Sequence, residues 1–339
     1  MIPNYPHIQG AFFKAIGYLL DSDESKKGSK KIMVSVSGGS DSDIVVDFMH
    51  QCGVLDRCTL VWFNTGLEYE ATKEHLDYLE KRYNVPIVRL KAYRPIPSVC
   101  KQYGVPFLSK NISDKIDRLQ RHGFQWEDRP YKELLQDYHG CKLAIDWWCN
   151  QNIRNFWNIN YKKLLKEFLI DNPPDFKISA RCCLYSKKKT AYQYEKDLRP
   201  DIVVTGMRKA EGGIRATAFD SCYSVHEDSA DTYRPIWWFT NEDKEAYNKA
   251  YKIKNSKCYT RYGFTRTGCT CCPFALDFEY ELNKTAIHEP KLYRAAVGVF
   301  GKSYEYTRKY LAYRSEKENE MKRQIRSTPV LETYFQAVE

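Results

Sequence analysis

The sequence predicts an α/β fold: a Rossmann-like parallel sheet with helices on both faces, plus a helical insertion and a helical C-terminal segment. Three observations predict it. Short apolar runs rich in β-branched residues, at 32–36, 59–63 and 202–204, alternate with stretches of helical periodicity, the pattern of βαβ units. Each of these runs leads into a turn that contains glycine. The chain has 339 residues, 43% hydrophobic and 28% charged, a globular composition long enough to enclose a sizeable core.

Residues 8–20 read as a short helix, and 21–31, DSDESKKGSKK, as a charged flexible linker. This N-terminal piece, 1–30, precedes a domain expected over 31–245. The first strand leads into SGGSDS at 37–42, after which Ile44, Val45, Phe48 and Met49 recur at helical spacing. Glycines between strand and helix let the backbone turn tightly and approach a ligand. The free amides and dipole at the helix start favour an anion, and Ser37, Ser40 and Ser42 add hydroxyls, so the loop reads as a phosphate cradle. It is neither G-x-x-x-x-G-K-[ST] nor G-x-G-x-x-G.

The second strand runs into NTGLE at 64–68 and a helix from about 69 to 83; a third strand is expected at 85–90. In parallel sheets ligands sit beyond the carboxyl ends of the strands, so the SGGSDS and NTGLE turns are expected to face one crevice. A helical insertion is expected at about 100–175, with Trp147, Trp148 and Trp157 near Lys162, Lys163 and Lys166. Those tryptophans serve either core packing or base stacking. The strand at 202–204 ends in TGMRKAE. RPIWWF at 234–239 precedes a helix rich in Asp, Glu and Lys, and 282–321 reads as helical and basic. The cysteine-bearing part is assigned to 246–339.

The net charge is +10, which fits a polyanionic partner. No stretch resembles a membrane span or a secretory signal, so the expectation is a cytoplasmic chain with reduced thiols. Of 12 cysteines, Cys52, Cys58, Cys100, Cys141 and Cys149 are scattered and read as structural, whereas Cys182–Cys183 and Cys269, Cys271, Cys272 are grouped.

Four features stand in order along the chain: SGGSDS, NTGLE, GMRKAEGGIR at 206–215, and YRPIWWF…GCTCCP at 233–273. SGGSDS resembles the SGGxDS pyrophosphate loop of N-type ATP pyrophosphatases, and the whole order resembles the phosphoadenosine and adenosine phosphosulfate (PAPS/APS) reductases, a family that includes the DNA phosphorothioation protein DndC. The resemblance covers roughly 30–275. It implies an adenine nucleotide held by Ser35, Ser37, Gly38, Gly39, Ser40, Asp41, Ser42, Asn64, Thr65, Gly66, Glu68, Gly206, Arg208, Glu211 and Arg215, with Asp41, Arg208 and Lys187 in catalytic roles. It implies Mg²⁺ with the ATP. It also implies a [4Fe–4S] cluster on Cys182, Cys183, Cys269 and Cys272, with a zinc site on the same thiols as the alternative. Lys187 and Lys188 would offset the charge of the thiolates. Cys222, Cys258 and Cys271 are alternates or candidate sulfur carriers.

The chain departs from the family pattern in three places. Asn64 stands where Asp is usual, and Gly212 where Ser is usual. No cysteine follows Cys272, so the catalytic thiol of a reductase tail is not expected. The expected function is therefore ATP-dependent, pyrophosphate-releasing, iron–sulfur-dependent sulfur transfer to nucleic acid, as in DNA phosphorothioation, with tRNA thiolation as a variant of the same chemistry and the sulfur carried by the cluster or by a cysteine persulfide from a cysteine desulfurase. An APS/PAPS reductase and a nucleotide-sensing subunit of a larger complex are the alternatives.

Overall fold

A computed structural model describes residues 2–19 and 30–327, apart from the side chains of 213–215 and 324–327. Most of the linker expected at 21–31 lies outside the described residues. The chain divides into a sheet-bearing unit, up to 97 with 183–272 and 277–296, and a second unit of 98–182, 273–276 and 297 onward.

The sheet has six strands: β1 (Ile32–Ser35), β2 (Cys58–Asn64), β3 (Ile87–Lys91), β4 (Ile202–Val204), β5 (Tyr223–Ser224) and β6 (Asp231–Tyr233), in the order β3-β2-β1-β4-β6-β5. All pairings are parallel except β5 with β6. Ile32, Met33 and Val34 of β1 are buried, as an all-apolar strand inside a covered parallel sheet must be. From β1 the chain steps out to β2 and β3, then returns to the far side of β1 as β4. That reversal makes the carboxyl ends of β1 and β4 a topological switch point, where open α/β sheets bind ligands.

The helix after β1, Ser40–Gln51, buries Ile44, Val45, Val46, Phe48 and Met49. It also buries two carboxylates, each with a polar side chain against at least one oxygen, because an unpaired buried charge is costly. Asp47 accepts from the Tyr83 and Tyr247 hydroxyls at 2.9 and 3.0 Å, and Asp43 lies 2.9 Å from His75 Nε2. The N-terminal helix is Pro6–Leu19; Ile8, Ala11, Ala15 and Leu19, on one stripe, are its buried residues.

Helix Glu70–Tyr83 follows β2. Its first turn is capped from far along the chain: the Glu289 carboxylate accepts from the amides of Glu70 (2.9 Å) and Ala71 (3.1 Å) and from the Tyr262 hydroxyl (2.9 Å). A carboxylate suits this end of the helix dipole. Glu289 also marks a break in the basic stretch expected to be helical over 282–321. That stretch is two helices, Phe278–His288 and Pro290–Ser327. Pro290 opens the second, where its missing N–H costs nothing.

The second unit is helical. Lys110–Arg121, Lys142–Trp148, Leu165–Asp171 and the later part of Pro290–Ser327 surround Phe107, Trp147, Trp148, Phe168 and Tyr310. Trp147 and Trp148 are 1% and 0% exposed, and the Trp148 indole donates to the Glu127 carbonyl at 2.9 Å. Packing is thus the role of these two, not base stacking. Lys166 is 2.5 Å from Asp128 and its ammonium lies over the Trp148 ring, so it is not an open cation either. Among the described residues no helix is long and apolar enough to cross a membrane.

Candidate active site

The SGGSDS loop lies at the carboxyl end of β1, as its sequence requires. Gly38 has φ +68°, and a Cβ there would come within 2.7 Å of the Thr72 side chain, so glycine is demanded twice over. The Ser42 hydroxyl closes the turn, accepting from the Gly39 amide at 3.1 Å and donating to the Gly39 carbonyl at 2.7 Å. The Gly39 amide also lies 3.2 Å from Ser37 Oγ, and the Ser40 amide donates to the Tyr259 hydroxyl at 3.2 Å. These amides are engaged by neutral hydroxyl oxygens, weaker acceptors than a phosphate.

Two cations converge on the loop. Asp41 Oδ1 lies 3.0 Å from Arg208 Nε and 2.8 Å from Lys244 Nζ, and Lys244 also donates to Ser40 Oγ at 2.6 Å. Arg208 donates further to the Phe239 carbonyl (3.3 Å) and Asn241 Oδ1 (3.1 Å), so the guanidinium is fixed. Two cations and a helix N-terminus thus meet at the loop, whose first helical turn carries Asp41 and the buried Asp43. Gly206 permits this approach: a Cβ there would sit 3.1 Å from the Asp41 backbone. Arg208 arrives from the turn after β4 and Lys244 from helix Asn241–Ala250. Ser35 ends β1 next to the loop. Asn64 ends β2, where its side chain accepts from the Gly66 amide at 3.0 Å. Glu211 is exposed in a single 3₁₀ turn. The side chain of Arg215 lies outside the described residues.

A second cluster forms at the NTGLE turn. Residues 268–271 pair with that turn through a Glu68–Cys269 bridge and the Thr270 amide bonded to the Leu67 carbonyl at 2.9 Å. The Thr65 hydroxyl donates to Glu68 Oε1 at 2.5 Å and lies 3.7 Å from Cys269 Sγ. Thr65 and Glu68 thus face the cysteine segment. Lys187 sits in a π-helical turn, Leu184–Lys188, directly after Cys183. Such turns re-aim side chains and recur at functional sites. Cys269, then Glu68, Cys183 and Cys272, hold the Lys187 ammonium in its charged form. Burial pushes the Cys269 thiol up to about 11 against the pull of Lys187, and burial raises Glu68 likewise.

The boundary between the two units falls after Cys182, so Cys183, Cys269 and Cys272 belong to the sheet-bearing unit and Cys182 to the other, where it is 3% exposed. Among the described residues no group of three or more His, Cys, Asp or Glu is arranged to hold a metal ion. The donor chemistry still fits an iron–sulfur cluster: three thiols of one unit share the surroundings of a single cation. Cys258 and Cys271 are 0% exposed, and burial pushes both thiols up to about 11, so neither has the exposed, thiolate-favouring setting that a sulfur carrier needs. Cys222 is buried as well.

Close by, burial pushes the Glu281 carboxyl up to about 7 from 4.5, with Asp277 adding and Arg266 opposing. An acid raised on folding favours the native state fully below its unfolded value, and that advantage is lost as pH climbs to the folded value. Between pH 4.5 and 7 Glu281 should therefore remove about 3 kcal/mol of stability. Glu281→Gln should abolish this slope, so that its urea midpoint, relative to wild type, rises from pH 5 to pH 8. A constant difference across that range would refute the assignment.

No protein-family model matches the chain. Over 287 residues it is 25% identical to an uncharacterized protein, MJ0066, of Methanocaldococcus jannaschii. The match takes in 82% of this chain, which spans only 43% of that relative's length. Among solved structures, it is similar to a PAPS reductase from Candida auris in its phosphate complex, with a TM-score of 0.37, 13% identity and coverage of 70% of this chain and 81% of that one. It is also similar to the U34-tRNA thiolase NcsA from Methanococcus maripaludis with its [4Fe–4S] cluster, at TM-score 0.37, 13% identity, and coverage of 91% and 79%.

Proposed function

We propose that this chain uses ATP to adenylate an acceptor oxygen, releasing pyrophosphate, and that a sulfur nucleophile then displaces AMP. The observation that carries the reading is the SGGSDS loop at the switch point of the sheet, with Arg208 and Lys244 converging on Asp41. The acceptor oxygen attacks the α-phosphorus and the bond to the pyrophosphate oxygen breaks. Loop amides, Arg208 and Lys244 bind the leaving pyrophosphate, whose charge grows as that bond opens. Positioned cations of this kind are the main means by which phosphoryl and nucleotidyl transfer is accelerated. In the second step sulfur bonds to the activated atom and the bond to the AMP oxygen breaks. Mg²⁺ enters with the nucleotide, held largely by phosphate oxygens, as is usual for this ion.

Cys183, Cys269 and Cys272 would hold a [4Fe–4S] cluster. Bound there, it would supply an iron–sulfur centre close to the nucleotide fold of the same unit, with Lys187 and Glu68 as neighbouring groups. Nucleic acid is the acceptor that the +10 charge favours. A cysteine desulfurase is the proposed sulfur source.

The test is one incubation of anaerobically purified protein with ATP, Mg²⁺, a sulfide donor and either DNA or tRNA, read for pyrophosphate and for sulfur retained in the polymer. Pyrophosphate formed only with an acceptor, and sulfur in that acceptor, is the expected result. Parallel incubations with APS and PAPS that yield sulfite, and no sulfur in nucleic acid, would overturn it in favour of a reductase.

A further inference from the structure

The second unit carries a surface that the nucleotide chemistry does not use. Residues 147–166 contain no Asp or Glu, and five asparagines fall between 150 and 160. The side chains of three of those asparagines tie the loop into one shape. Asn158 Oδ1 accepts from the Asn152 amide (3.0 Å) and side chain (3.1 Å), and the Asn158 side chain donates back to the Asn152 carbonyl at 2.9 Å. Asn150 Oδ1 accepts from the Asn160 amide at 3.1 Å. The ring of Phe156 packs 5.0 Å from that of Trp157, centroid to centroid.

This frame displays three large side chains close together in sequence. Ile153, Phe156 and Tyr161 are 104%, 43% and 59% exposed, although burying such groups is normally favourable. Beside them, Arg154, Lys162 and Lys163 are exposed and have no ion-pair partner among the described residues. Several other cations of the same unit are paired: Arg118 with Asp114, Arg121 with Asp117, Arg129 with Glu127, Lys142 with Asp146. Open rings beside unmatched cations, on a preordered loop, suit a ligand with flat faces and a regular line of negative charge.

We propose that the loop around 150–164 is a docking surface for unpaired nucleotides of a nucleic acid strand. Phe156 and Tyr161 stack on bases, Ile153 packs beside them, and Arg154, Lys162 and Lys163 meet phosphates. This inference rests on the nucleic-acid acceptor proposed above and adds where the strand is held and in what form. Base stacking needs bases that are not already enclosed in a duplex, which is why single strands are favoured. Three phosphate contacts on a single strand correspond to a salt slope of about −2, hence roughly 20-fold weaker binding between 50 and 200 mM salt from these residues alone.

Fluorescence anisotropy of labelled 15-nucleotide single strands, DNA and RNA, against a 15-base-pair duplex tests it with the full chain. Wild type should favour the single strand. Arg154→Gln/Lys162→Gln/Lys163→Gln should flatten the salt slope by about 2. Phe156→Ala and Tyr161→Ala should each weaken binding at least about fivefold without changing the slope. These side chains are exposed, so melting curves should stay at the wild-type position, which separates lost contacts from lost folding. Variants that bind as wild type does would overturn the loop assignment alone. Duplex bound as tightly as single strand, with the ring substitutions silent, would overturn the unpaired-base reading. A wild-type protein that binds no nucleic acid at 50 mM salt would overturn the loop and the acceptor together, and ATP titration in the same buffer shows whether the nucleotide reading stands without them.

Discussion

Arg208→Gln is expected to lower ATP-dependent pyrophosphate release by about 10²–10³ in kcat, with a smaller effect on ATP affinity. Arg208 is 6% exposed and held at three points, by Asp41, the Phe239 carbonyl and Asn241. Its charge is therefore already aimed, and no reorganisation is needed as the pyrophosphate takes on charge. Lys244 shares Asp41 but, among the described residues, is held by one other group, Ser40 Oγ. Losing Arg208 leaves the loop with Lys244, a cation held at fewer points. Arg208→Lys should recover little, because a single ammonium cannot span the three oxygens that fix the guanidinium. Steady-state pyrophosphate release, with ATP binding by calorimetry, separates the two effects. A fall in affinity alone, with kcat intact, would mean that Arg208 binds ground state and transition state equally.

The strand, turn and helix around SGGSDS were legible because they are local. Apolar runs, glycine and helical periodicity all fall within twenty residues, and the geometry follows from backbone sterics. The residues that complete the loop were not. Lys244, Asn241 and Tyr259 lie some two hundred residues further along and reach Ser40, Asp41 and Arg208 only through the fold. Lys244 stands in an ordinary amphipathic helix, with nothing local to distinguish it from its charged neighbours. The carboxylate that caps helix Glu70–Tyr83 comes from Glu289 for the same reason. β5 and β6 were missed because YS and DTY are two- and three-residue polar strands below any periodicity signal. Tryptophans close to lysines in sequence carry two readings, and only packing separates them. Trp147 and Trp148 turn into the core, while Phe156 and Tyr161, which no sequence pattern distinguishes, stand outside.

Cys269→Ser is expected to abolish iron binding, from about four irons per chain to background, whereas Cys271→Ser two residues away should keep it. The contrast rests on the turn between them. Cys271 has φ +49°, and its sulfur lies 3.3 Å from Thr285 Oγ1 while its amide donates to the Tyr69 hydroxyl at 3.0 Å. The side chain is thereby committed to the packing against helix Phe278–His288. Cys269 instead neighbours Thr65, Glu68 and Lys187, and Cys183 and Cys272 act on the same ammonium. Iron content and visible absorbance after anaerobic reconstitution provide the readout, and melting curves of both variants control for folding. Equal loss in the two variants would remove the ligand assignment, since the sequence motif would then matter only as a fold element. Zinc retained by wild type in place of iron would turn the thiols into a structural site, which holds the NTGLE turn against residues 268–271 and takes no part in sulfur chemistry.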